Sequence, residues 1–523
     1  MPVSQIEPVK DDADVQKLFF RIHQIASHWA NKTPNRPALS QGSVTWNYRQ
    51  LEEATAVAVE FLSGLGVVEG DRVMLVGENC NALVALIFAA GRLSASAVLE
   101  NARRSAVEVE KIIMHADPCR ILYLVGNSPN AREHAEQAGS SYTSVSFLGD
   151  IGFGAHRVDA IPDPVHGDAA DTAIHIYTTG TTGAPKGVML THANLLSLSS
   201  ISLRWREMRA SDRVYCVLPI THVMGLAVVL GGTIRAGGHL FLVARFDVAH
   251  CASALKNDGV TVLQGAPAMF AKLIEHSVTS PIRAPNIRLI SVGGAPLVPA
   301  LKTQAEALFD RCLHNGYGLT EAASICVTRL DAPRDDASVG QPVPGVEVKF
   351  VDSQGKAVSA GTVGELWVRG PQVLKGYFRD PVVTSKVLTL DGWFNTEDLG
   401  YEDEYSNVFI TGRTKDLIIS GGFNVQPLEV EEALNAHPAI VHSAVMGRAG
   451  ASGEYIVAFI EVLEGSNLHL AEIHQFLSQR LSPYKRPREI YEVDSLPCAP
   501  NGKIIKRHLI DILDGVHPIK KLA

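Results

Sequence analysis

Residues 177–189 read YTTGTTGAPKGVM, a run of threonine and glycine that leads to Lys186. Glycine lets backbone N–H groups turn toward an anion, and small hydroxyl side chains add donors without bulk. The spacing from Gly180 to Lys186 matches a Walker loop, but Pro185 replaces its second glycine and Gly187 replaces its Mg²⁺-binding Ser or Thr. The stretch therefore predicts a phosphate-binding loop of another kind, and the proline disfavours a helix that begins at the lysine.

A second stretch with the residue types of a ligand site is HNGYGLTEAAS, in which Tyr317 stands between Gly316 and Gly318. Because neither neighbour has a side chain, the tyrosine ring has room to lie flat against a planar ligand. Thr320 and Glu321 supply a hydroxyl and a hard oxygen ligand, and Mg²⁺ bound with phosphates usually takes one or two carboxylates. A glutamate in a solvated loop is the alternative, and the stretch by itself leaves both open.

Several other stretches contain polar groups for which an ordinary structural explanation is also available. GWFNTEDLG contains Glu397 beside Asp398, and adjacent carboxylates usually lie in a solvated turn. The alternative is that one of them is buried and accepts hydrogen bonds from the two hydroxyls of a ribose. PNGK presents Lys503 after an Asn-Gly turn, where a surface hairpin lysine is the alternative. His222 in LPITHVMG is a single histidine of a kind that is more often structural than catalytic, and VGGAPL is either a ligand-facing edge or a plain turn.

Length and composition restrict the class of protein. A chain of 523 residues exceeds what one hydrophobic core supports, so two or three domains are expected. Hydrophobic residues make up 46% and charged residues 20%, as in ordinary globular proteins. The net charge of -8 argues against general binding to nucleic acid or anionic membranes, so a phosphate ligand must be held by local positive groups.

Cysteine usage and the lack of targeting segments predict a cytoplasmic protein. The seven cysteines include no C-x-x-C pair, so neither a metal site nor a disulfide framework is expected from them. The N-terminus MPVSQIEPVKDDADV lacks the features of a signal peptide, and KKLA is not a convincing peroxisomal address. The longest apolar runs, ALVALIFAAG and GLAVVLGG, are too short to span a bilayer.

The order of apolar runs predicts an α/β fold. Up to about residue 400 they alternate with amphipathic stretches, which indicates parallel sheets with helices on their faces. The strand-like runs are RVMLVGEN, RILYLVGN, AIHIYTTG, RVYCVLPI, GHLFLVARF, VTVLQGAP and IRLISVGGAP. Ligands of such sheets bind at the carboxyl ends of strands, and the threonine-rich loop follows AIHIY. Short strands at 338–410 indicate a small β-rich subdomain, and the residues after GRTKD indicate a compact α+β domain.

Taken together, YTTGTTGAPKGV, NGYGLTE, GELWVRG, GRTKDLIISGGFNVQPLEVE and PNGK resemble, in content and in order, the motifs of the adenylate-forming superfamily. Its members are acyl-CoA synthetases, peptide-synthetase adenylation domains and beetle luciferases. The resemblance covers about residues 25–510. It implies a large N-terminal domain of stacked α/β sheets (1–412, with the β-rich subdomain), a hinge (413–417) and a small mobile α+β C-terminal catalytic domain (418–523).

The resemblance also implies a two-step reaction that uses ATP, Mg²⁺ and CoA. A carboxylate first joins the α-phosphate of ATP and expels pyrophosphate; a thiol then attacks the acyl adenylate and AMP leaves. Since carboxylate and triphosphate are both anions, the site must gather Mg²⁺, loop donors and a lysine to bring them together.

Carried over motif by motif, the resemblance assigns a nucleotide site. The phosphate loop would consist of Thr178, Thr179, Gly180, Thr181, Thr182, Gly183 and Lys186. Tyr317 would stack on adenine in a pocket lined by Gly293, Gly294, Ala295, Asn315, Gly316 and Gly318. Thr320 would contact the α-phosphate, and Glu321 would hold Mg²⁺. The ribose hydroxyls would bind Asp398 and Arg413.

The same motifs imply catalytic, hinge and acyl-binding residues. Lys503 would be the adenylation lysine, acting with Thr320, and His222 would gate the acyl pocket. Lys415 matches the hinge pivot, and the turn that reaches the CoA tunnel would contain Gly421 and Gly422. The acyl pocket would be lined by His222, Val223, Met224, Ala295, Gly316, Gly318 and Leu319. None of these is a clear cation for a second substrate carboxylate, which favours an aryl or medium-chain acid over malonate or oxalate.

One position departs from the family pattern. Thr-Gly-Asp usually includes the ribose contact, whereas this chain has Thr396, Glu397 and Asp398 in succession. Glutamate adds charge and bulk where glycine usually stands. Adenylation is expected to survive because Asp398 remains.

Within the superfamily, a free-standing carboxylate–CoA ligase (an acid–thiol ligase) is expected. Residues 219–225 contain no acid to pair with an amino-acid amine, and no carrier domain follows the last motif. One alternative is an acyl-AMP ligase that loads a separate carrier protein. Another is a non-catalytic nucleotide-binding relative, against which the joint retention of Lys186, Glu321, Asp398 and Lys503 argues. The expected partners are a small-molecule carboxylic acid, ATP and CoA, without nucleic acid or a membrane span; a homodimer is left open.

Overall fold

The computed structural model describes residues 19–179, 185–420, 423–450, 453–463, 465–466, 468–498, 504–513 and 520–521. The α-helices in these ranges are α1 (Gln24–Lys32), α2 (Tyr48–Gly64), α3 (Asn81–Arg92), α4 (Ala106–Ala116), α5 (Pro129–Gln137), α6 (His192–Trp205), α7 (Gly232–Ala236), α8 (Val248–Asn257), α9 (Pro267–Thr279), α10 (Pro299–Phe309), α11 (Pro381–Val387), α12 (Pro427–Asn435), α13 (Leu470–Ser478) and α14 (Lys506–Leu513). A π-helix (Met224–Gly231) precedes α7, and two 3₁₀ turns cover Thr414–Asp416 and Pro483–Lys485.

The strands of the N-terminal part are β1 (Pro37–Gln41), β2 (Val44–Asn47), β3 (Arg72–Gly77), β4 (Ser96–Asn101), β5 (Arg120–Tyr123), β6 (Ser141–Val145), β7 (Gly149–Phe153), β8 (Thr172–Thr179), β9 (Pro185–Thr191), β10 (Arg213–Cys216), β11 (His239–Leu242), β12 (Val262–Gly265), β13 (Leu289–Gly293), β14 (Leu313–Tyr317), β15 (Cys326–Val327) and β16 (Gln341–Pro342). They are followed by β17 (Glu347–Val351), β18 (Gly364–Arg369), β19 (Gly376–Tyr377), β20 (Phe394–Glu402), β21 (Val408–Arg413), β22 (Ile418–Ser420), β23 (Phe423–Val425), β24 (Ile440–Gly450), β25 (Gly453–Val462), β26 (Glu489–Glu492) and β27 (Lys520–Lys521).

Two large mixed sheets contain all of the described strands up to β16, together with β19. One has the order β16-β15-β14-β13-β12-β10-β11-β1-β2 and is parallel from β14 to β1. The other has the order β19-β9-β8-β4-β3-β5-β7-β6 and is parallel from β8 to β5. Antiparallel strands form both edges of each sheet. The seven strand-like runs of the sequence all fall on strands, so the predicted α/β fold with parallel sheets is confirmed.

The helix α3 shows why the two sheets pack together. Its sequence, NALVALIFAAGR, is apolar on all sides, and every residue from Asn81 to Gly91 is buried. A helix without a polar face must be covered all round. It contacts β3 and β4 of one sheet and β1 of the other, so it fills the space between the sheets.

Asn79, just before α3, connects the two sheets close to the segment that contains His222, one of the candidate site residues. Its amide nitrogen lies 3.0 Å from the carbonyl oxygen of Leu218 and 3.1 Å from that of Val243, and its amide oxygen accepts from the Ile220 N–H at 2.8 Å. The side chain is nearly fully buried. These bonds hold the segment after β10, which leads directly to His222.

Two smaller sheets follow in the chain. The strands β17, β18, β20 and β21 form a four-stranded antiparallel sheet, as expected from the β-rich pattern of the sequence. After it, β22 to β27 form a six-stranded mixed sheet with α12 and α13, which matches the expected α+β pattern. The exact domain limits, 1–412, 413–417 and 418–523, stay a prediction. Among the described residues, no helix is both long enough and apolar enough to cross a membrane.

Candidate active site

The threonine-rich stretch connects two antiparallel strands. Thr178 pairs with Lys186, and Thr179 pairs with Pro185, at the end of the β8–β9 hairpin. Lys186 lies at the start of a strand, as expected from a proline that disfavours a helix there. A Walker loop instead runs into a helix, so the hairpin distinguishes this loop from that type. The loop residues Gly180, Thr181, Thr182 and Gly183 lie outside the described residues.

The predicted adenine pocket lies at the carboxyl ends of two neighbouring parallel strands. Gly293 ends β13 and is paired with Gly316 of β14. A Cβ atom added to Gly293 would lie 3.2 Å from the Gly316 carbonyl oxygen, so a larger residue would crowd this edge. Asn315 is buried and uses its side chain on the backbone: it donates to the Ser338 carbonyl oxygen and accepts from the Gly316 N–H. Ligand sites at such strand ends are typical of parallel sheets.

Tyr317, Asp398 and Arg413 form one hydrogen-bonded chain. The Tyr317 hydroxyl donates to Oδ2 of Asp398, and Nε of Arg413 lies 2.7 Å from Oδ1 of the same carboxylate. Asp398 is 2% exposed, as the single buried acid of the sequence prediction requires. Burial raises the pKa of Tyr317, and the Asp398 carboxylate raises it further. The pKa of Arg413 is lowered by burial but raised overall, chiefly because of Asp398. The arrangement therefore holds a charged acid next to the tyrosine ring.

A polar cavity around Glu321 is lined by side chains of both charges. It is lined by Lys186, Leu319, Glu321, Tyr377, Val387, Phe394, Asn395, Thr396, Glu397 and Arg413. The Tyr377 hydroxyl donates to Oε1 of Glu321 at 3.0 Å, and the Lys186 ammonium lies 5.1 Å from the centre of the Tyr377 ring. Burial raises the pKa of Glu321 above its usual value, although Tyr377, Arg413 and Lys186 lower it. A cation beside this carboxylate would therefore favour its charged form.

An adjoining cavity is mostly apolar. It is lined by Ile201, Ser202, Trp205, Arg206, His222, Val223, Met224, Val228, Gln264, Ser291, Val292, Gly293, Gly294, Gly316, Tyr317, Gly318, Leu319, Ala323, Ser324 and Val327. Leu319 contributes to the walls of both cavities. The enclosed volume of the apolar cavity is about 80 Å³, and the cavity is open to solvent.

His222 reaches this cavity from the start of the π-helix. The π-helix is a rare element that frequently marks functional sites. Gly225, in its first turn, permits the close approach of the preceding segment, because a Cβ there would lie only 2.2 Å from the Pro219 carbonyl oxygen. The helix α6 packs against the π-helix and brings Ile201, Trp205 and Arg206 to the same cavity.

Most of the sequence-predicted residues that the structure describes line these two cavities. The polar cavity contains Lys186, Glu321 and Arg413, and the apolar cavity contains His222, Val223, Met224, Gly293, Gly294, Gly316, Tyr317, Gly318 and Leu319. Six predicted residues with described side chains are not among the lining residues of either cavity: Thr178, Ala295, Asn315, Thr320, Asp398 and Lys415. Lys503, Gly421 and Gly422 lie outside the described residues, so their assigned roles remain predictions.

One expectation about the acyl pocket needs correction. Of the predicted lining residues none is a cation, but the cavity also contains the guanidinium-bearing Arg206, together with Gln264 and Trp205. The sequence prediction considered only motif positions, and Arg206 follows a helix that is far from them in the chain. A polar glutamine near the end of the apolar strand VTVLQGAP was the signal that could have identified Gln264. Tyr377, in KGYF, was also missed.

Comparison with protein families and with individual proteins agrees with this geometry. Residues 26–378 match the model of the AMP-binding enzyme family, and residues 429–503 match the AMP-binding enzyme C-terminal domain. The chain is similar to 4-coumarate–CoA ligase 3 of Oryza sativa subsp. japonica, with 31% identity over 494 residues that cover 91% of this chain and 89% of the relative. It is also similar to the fatty acid–[acyl-carrier-protein] ligase ScoC of Streptomyces coeruleorubidus, with 30% identity, 93% of this chain and 95% of the relative being covered.

Solved structures give the same result. ATP-bound MatB from Rhodopseudomonas palustris superimposes with a TM-score of 0.83 and 29% identity, over 95% of this chain and 100% of that one. O-succinylbenzoate coenzyme A synthetase (MenE) from Bacillus subtilis, in complex with ATP and magnesium ion, gives a TM-score of 0.80 and 26% identity, over 93% and 99%. The chain belongs to the AMP-binding enzyme family, and it is an enzyme of the AMP-forming acyl-CoA synthetase type within the adenylate-forming superfamily.

Proposed function

We propose that this protein is an ATP-dependent carboxylate–CoA ligase that acts on an aryl or medium-chain acid. The observation that carries the proposal is the pair of adjoining cavities. One collects Lys186, Glu321 and Arg413, which suit a triphosphate, and the other is largely apolar and is reached by His222. Leu319 lies in the walls of both, so an acid in the second cavity would have its carboxylate beside phosphates in the first. The similarity to a 4-coumarate–CoA ligase supports an aryl acid.

ATP would bind along the carboxyl ends of β8, β13 and β14. In this proposal the loop from Thr178 to Lys186 holds the β- and γ-phosphates, and Tyr317 stacks on adenine. Asp398 and Arg413 bind the ribose hydroxyls. Both carboxylate oxygens of Asp398 already accept bonds, from Tyr317 and Arg413. A carboxylate can accept about four hydrogen bonds, so these two partners do not by themselves rule out a ribose contact.

The residues around Glu321 fit a magnesium ion. The carboxylate lines the polar cavity, and Tyr377 donates to one of its oxygens. One carboxylate plus substrate phosphates is the usual set of ligands for Mg²⁺ at a nucleotide site. When bound there, the ion would neutralise phosphate charge and so reduce the repulsion of the incoming acid. The comparison with a synthetase solved with ATP and magnesium ion supports this assignment.

The chain's own residues would then arrange the first reaction. The substrate carboxylate attacks the α-phosphorus, a bond to oxygen forms, and pyrophosphate leaves. Thr320 would hold the α-phosphate, and Lys503 would lie between the two anions, where negative charge increases in the transition state. His222 would keep the mouth of the acyl cavity closed to water until the adenylate has formed.

The second reaction would require a different position of the C-terminal domain. A thiolate attacks the acyl carbon, AMP leaves with the bonding electron pair, and the acyl group remains on sulfur. We propose that the domain 418–523 turns about the hinge 413–417, with its pivot at Lys415. The turn at Gly421 and Gly422 would then reach the CoA tunnel in place of Lys503. Separate family matches for residues 26–378 and 429–503 support two units on either side of such a hinge.

An acyl-AMP ligase that loads a separate carrier protein is the second candidate. It is favoured by one observation, the similarity to ScoC, which is a fatty acid–[acyl-carrier-protein] ligase. The two candidates share the first reaction and differ only in the thiol acceptor. Measuring which thiol acceptor the enzyme requires therefore distinguishes the two candidates, whereas varying the acid does not.

A cytoplasmic location is part of the proposal and is supported by the cysteines. All seven are free thiols, of which five are buried, and free thiols persist in reducing compartments. A homodimer stays a prediction, and sedimentation of the purified protein is the measurement that tests it.

The experiment that tests the function measures AMP release with a panel of carboxylic acids, with and without CoA. AMP formation that depends on CoA supports the ligase, turnover only with a carrier protein supports the second candidate, and no AMP with any acid contradicts both.

The variant Lys503→Ala should abolish ATP–pyrophosphate exchange, with a loss on the order of 10²–10³ or more. It should still convert a supplied acyl adenylate to the thioester at near wild-type rate; normal exchange in this variant would contradict the role of Lys503.

A further inference from the structure

Arg206 places a buried guanidinium in the wall of the apolar cavity. It follows directly after α6 and is 6% exposed. Its two hydrogen bonds are long and go to carbonyl oxygens, from Nη1 to Thr328 at 3.3 Å and from Nη2 to Asn315 at 3.4 Å. Burial lowers the pKa of Arg206 to about 9, and no carboxylate among the described residues opposes that shift. The cation is therefore held in the protein without a counter-ion of its own.

A buried cation of this kind is costly unless an anion accompanies it. Removing a charge from water is strongly unfavourable, and a hydrogen-bonded partner of opposite charge is the usual compensation. Guanidinium groups have five N–H donors in a planar fork that matches a carboxylate. Backbone carbonyl oxygens at more than 3.2 Å use only part of this capacity. A carboxylate in the adjoining cavity would use the rest.

Gln264 gives a second and independent indication of a polar ligand. It is 2% exposed and lines the same cavity, yet its Nε2 has no hydrogen-bond partner in the described structure. A buried amide N–H without a partner is unfavourable, because it has lost its hydrogen bonds to water without a replacement. Gln264 therefore offers an unused donor to the cavity that Arg206 also lines.

The strand register shows that this donor lies at the deep end of the cavity. Gln264 of β12 is level with Ser291 of β13, which is level with His314 of β14. Gly293 and Gly316, at the adenine pocket, lie two residues further along their strands. Two residues correspond to about 6.6 Å of strand, so the amide is well behind the edge at which the nucleotide would bind.

We infer that the acid substrate of this enzyme carries a second carboxylate, which binds Arg206 and Gln264 in the wall of the acyl cavity. The inference rests on the proposed function and specifies its substrate. Ile201, Trp205 and Val327 supply apolar wall beside Arg206. The substrate is therefore an aryl or medium-chain acid with carboxylates at opposite ends: one reacts with ATP, and the other pairs with the guanidinium.

The test compares matched acids that differ only at the far end. Cinnamate with a para-carboxylate is compared with para-methylcinnamate, and octanedioate with octanoate, by acid-dependent pyrophosphate release. The wild-type enzyme should favour the diacid of a pair in kcat/KM. Arg206→Gln should lower kcat/KM for the diacid about ten- to a hundredfold and leave the monoacid nearly unchanged, because a charge-assisted pair is lost.

Two further variants separate recognition from folding. Leucine is similar in volume to glutamine, and the variant Gln264→Leu removes an unsatisfied buried amide. The variant should therefore keep or raise the melting temperature while it lowers kcat/KM for the diacid several-fold. Arg209→Gln is the matched control, since Arg209 is 51% exposed and pairs with Glu207 on the surface. A wild-type enzyme that prefers the monoacid in both pairs, or an equal loss for diacid and monoacid in Arg206→Gln, overturns the inference. Either result leaves the ligase function standing, whereas no AMP with any acid contradicts the function itself.

Discussion

Lys415 and Glu397 form an ion pair, with 2.7 Å between Nζ and Oε2. Glu397 stands where the family usually has glycine, and its backbone φ is +60°, in the left-handed region that favours glycine. Lys415 lies in the 3₁₀ turn after β21, at the predicted pivot. The glutamate that departs from the family pattern therefore binds the residue about which the C-terminal domain is proposed to turn.

Glu397→Gln and Glu397→Gly should both loosen this contact. The two side chains are about 40% exposed, so the ion pair contributes only about 0.2–1 kcal/mol. We expect the ratio of the rates of thioester formation and adenylation to change about two- to fivefold in both variants, because the hinge position that contains this ion pair loses its stabilisation. The measurement is single-turnover kinetics of each half-reaction.

The two substitutions also separate charge from backbone strain. Glu397→Gly permits the positive φ without strain and should raise the free energy of unfolding by about 1 kcal/mol, whereas Glu397→Gln keeps the same backbone cost. If only the glycine variant changes the ratio of the two rates, the backbone and not the ion pair controls the hinge.

Lys415→Pro should impair the second half-reaction more than the first. Proline fixes φ and restricts the residue before it, so a pivot at this position would lose the dihedral change that turns the domain. Adenylation should remain within a few-fold of wild type by pyrophosphate exchange. Lys415→Ala is the control, because it removes the ion pair with Glu397 but keeps a free backbone. An equal loss of both half-reactions in the proline variant would count against a pivot here.

Glu321→Gln should weaken the use of MgATP. The amide keeps the shape of the side chain and can still accept from Tyr377, but the negative charge that would hold Mg²⁺ is gone. We expect the KM for MgATP to rise about tenfold or more, with partial recovery at high Mg²⁺. Glu404→Gln, at an exposed position that is not among the lining residues of the cavity, serves as control. Unchanged kinetics at limiting Mg²⁺ would exclude Glu321 as a ligand.

Acid should destabilise the protein through its buried histidines. Burial lowers the pKa of His175 and His192 to about 3, from 6.5. Between these values the unfolded chain binds more protons than the folded one, so stability is complete above about pH 6.5 and falls as the pH decreases toward 3. Each histidine contributes about 1.4 kcal/mol per pH unit within that window.

His175→Gln should therefore make the pH dependence shallower, whatever it does to stability at neutral pH. The check is the free energy of unfolding in urea at about pH 7 and about pH 5. His156→Gln, at an exposed position, should leave the pH dependence unchanged. A slope equal to that of wild type in His175→Gln would show that this histidine is not linked to acid unfolding.

Much of the fold and part of the site could be predicted from the chain because the signals are local. Apolar runs such as RVMLVGEN and RVYCVLPI encode their own strands, and β3 and β10 lie within them. The motif residues Lys186, Glu321 and Arg413 belong to short stretches whose order identifies the superfamily, and they meet in one cavity. Pro185 predicted that no helix begins at the lysine, and a strand begins there.

The tertiary structure alone decided which other side chains face the substrate and which charges pair. Arg206 and Gln264 belong to different elements, and they line one cavity only because α6 packs on the π-helix and β12 lies beside β13. No local sequence pattern indicates that these two residues line the same cavity, since this depends on how helices and strands far apart in the sequence pack together. The same holds for Glu397 and Lys415: the sequence showed an unusual glutamate and a hinge lysine, but only the antiparallel pairing of β20 and β21 brings them together.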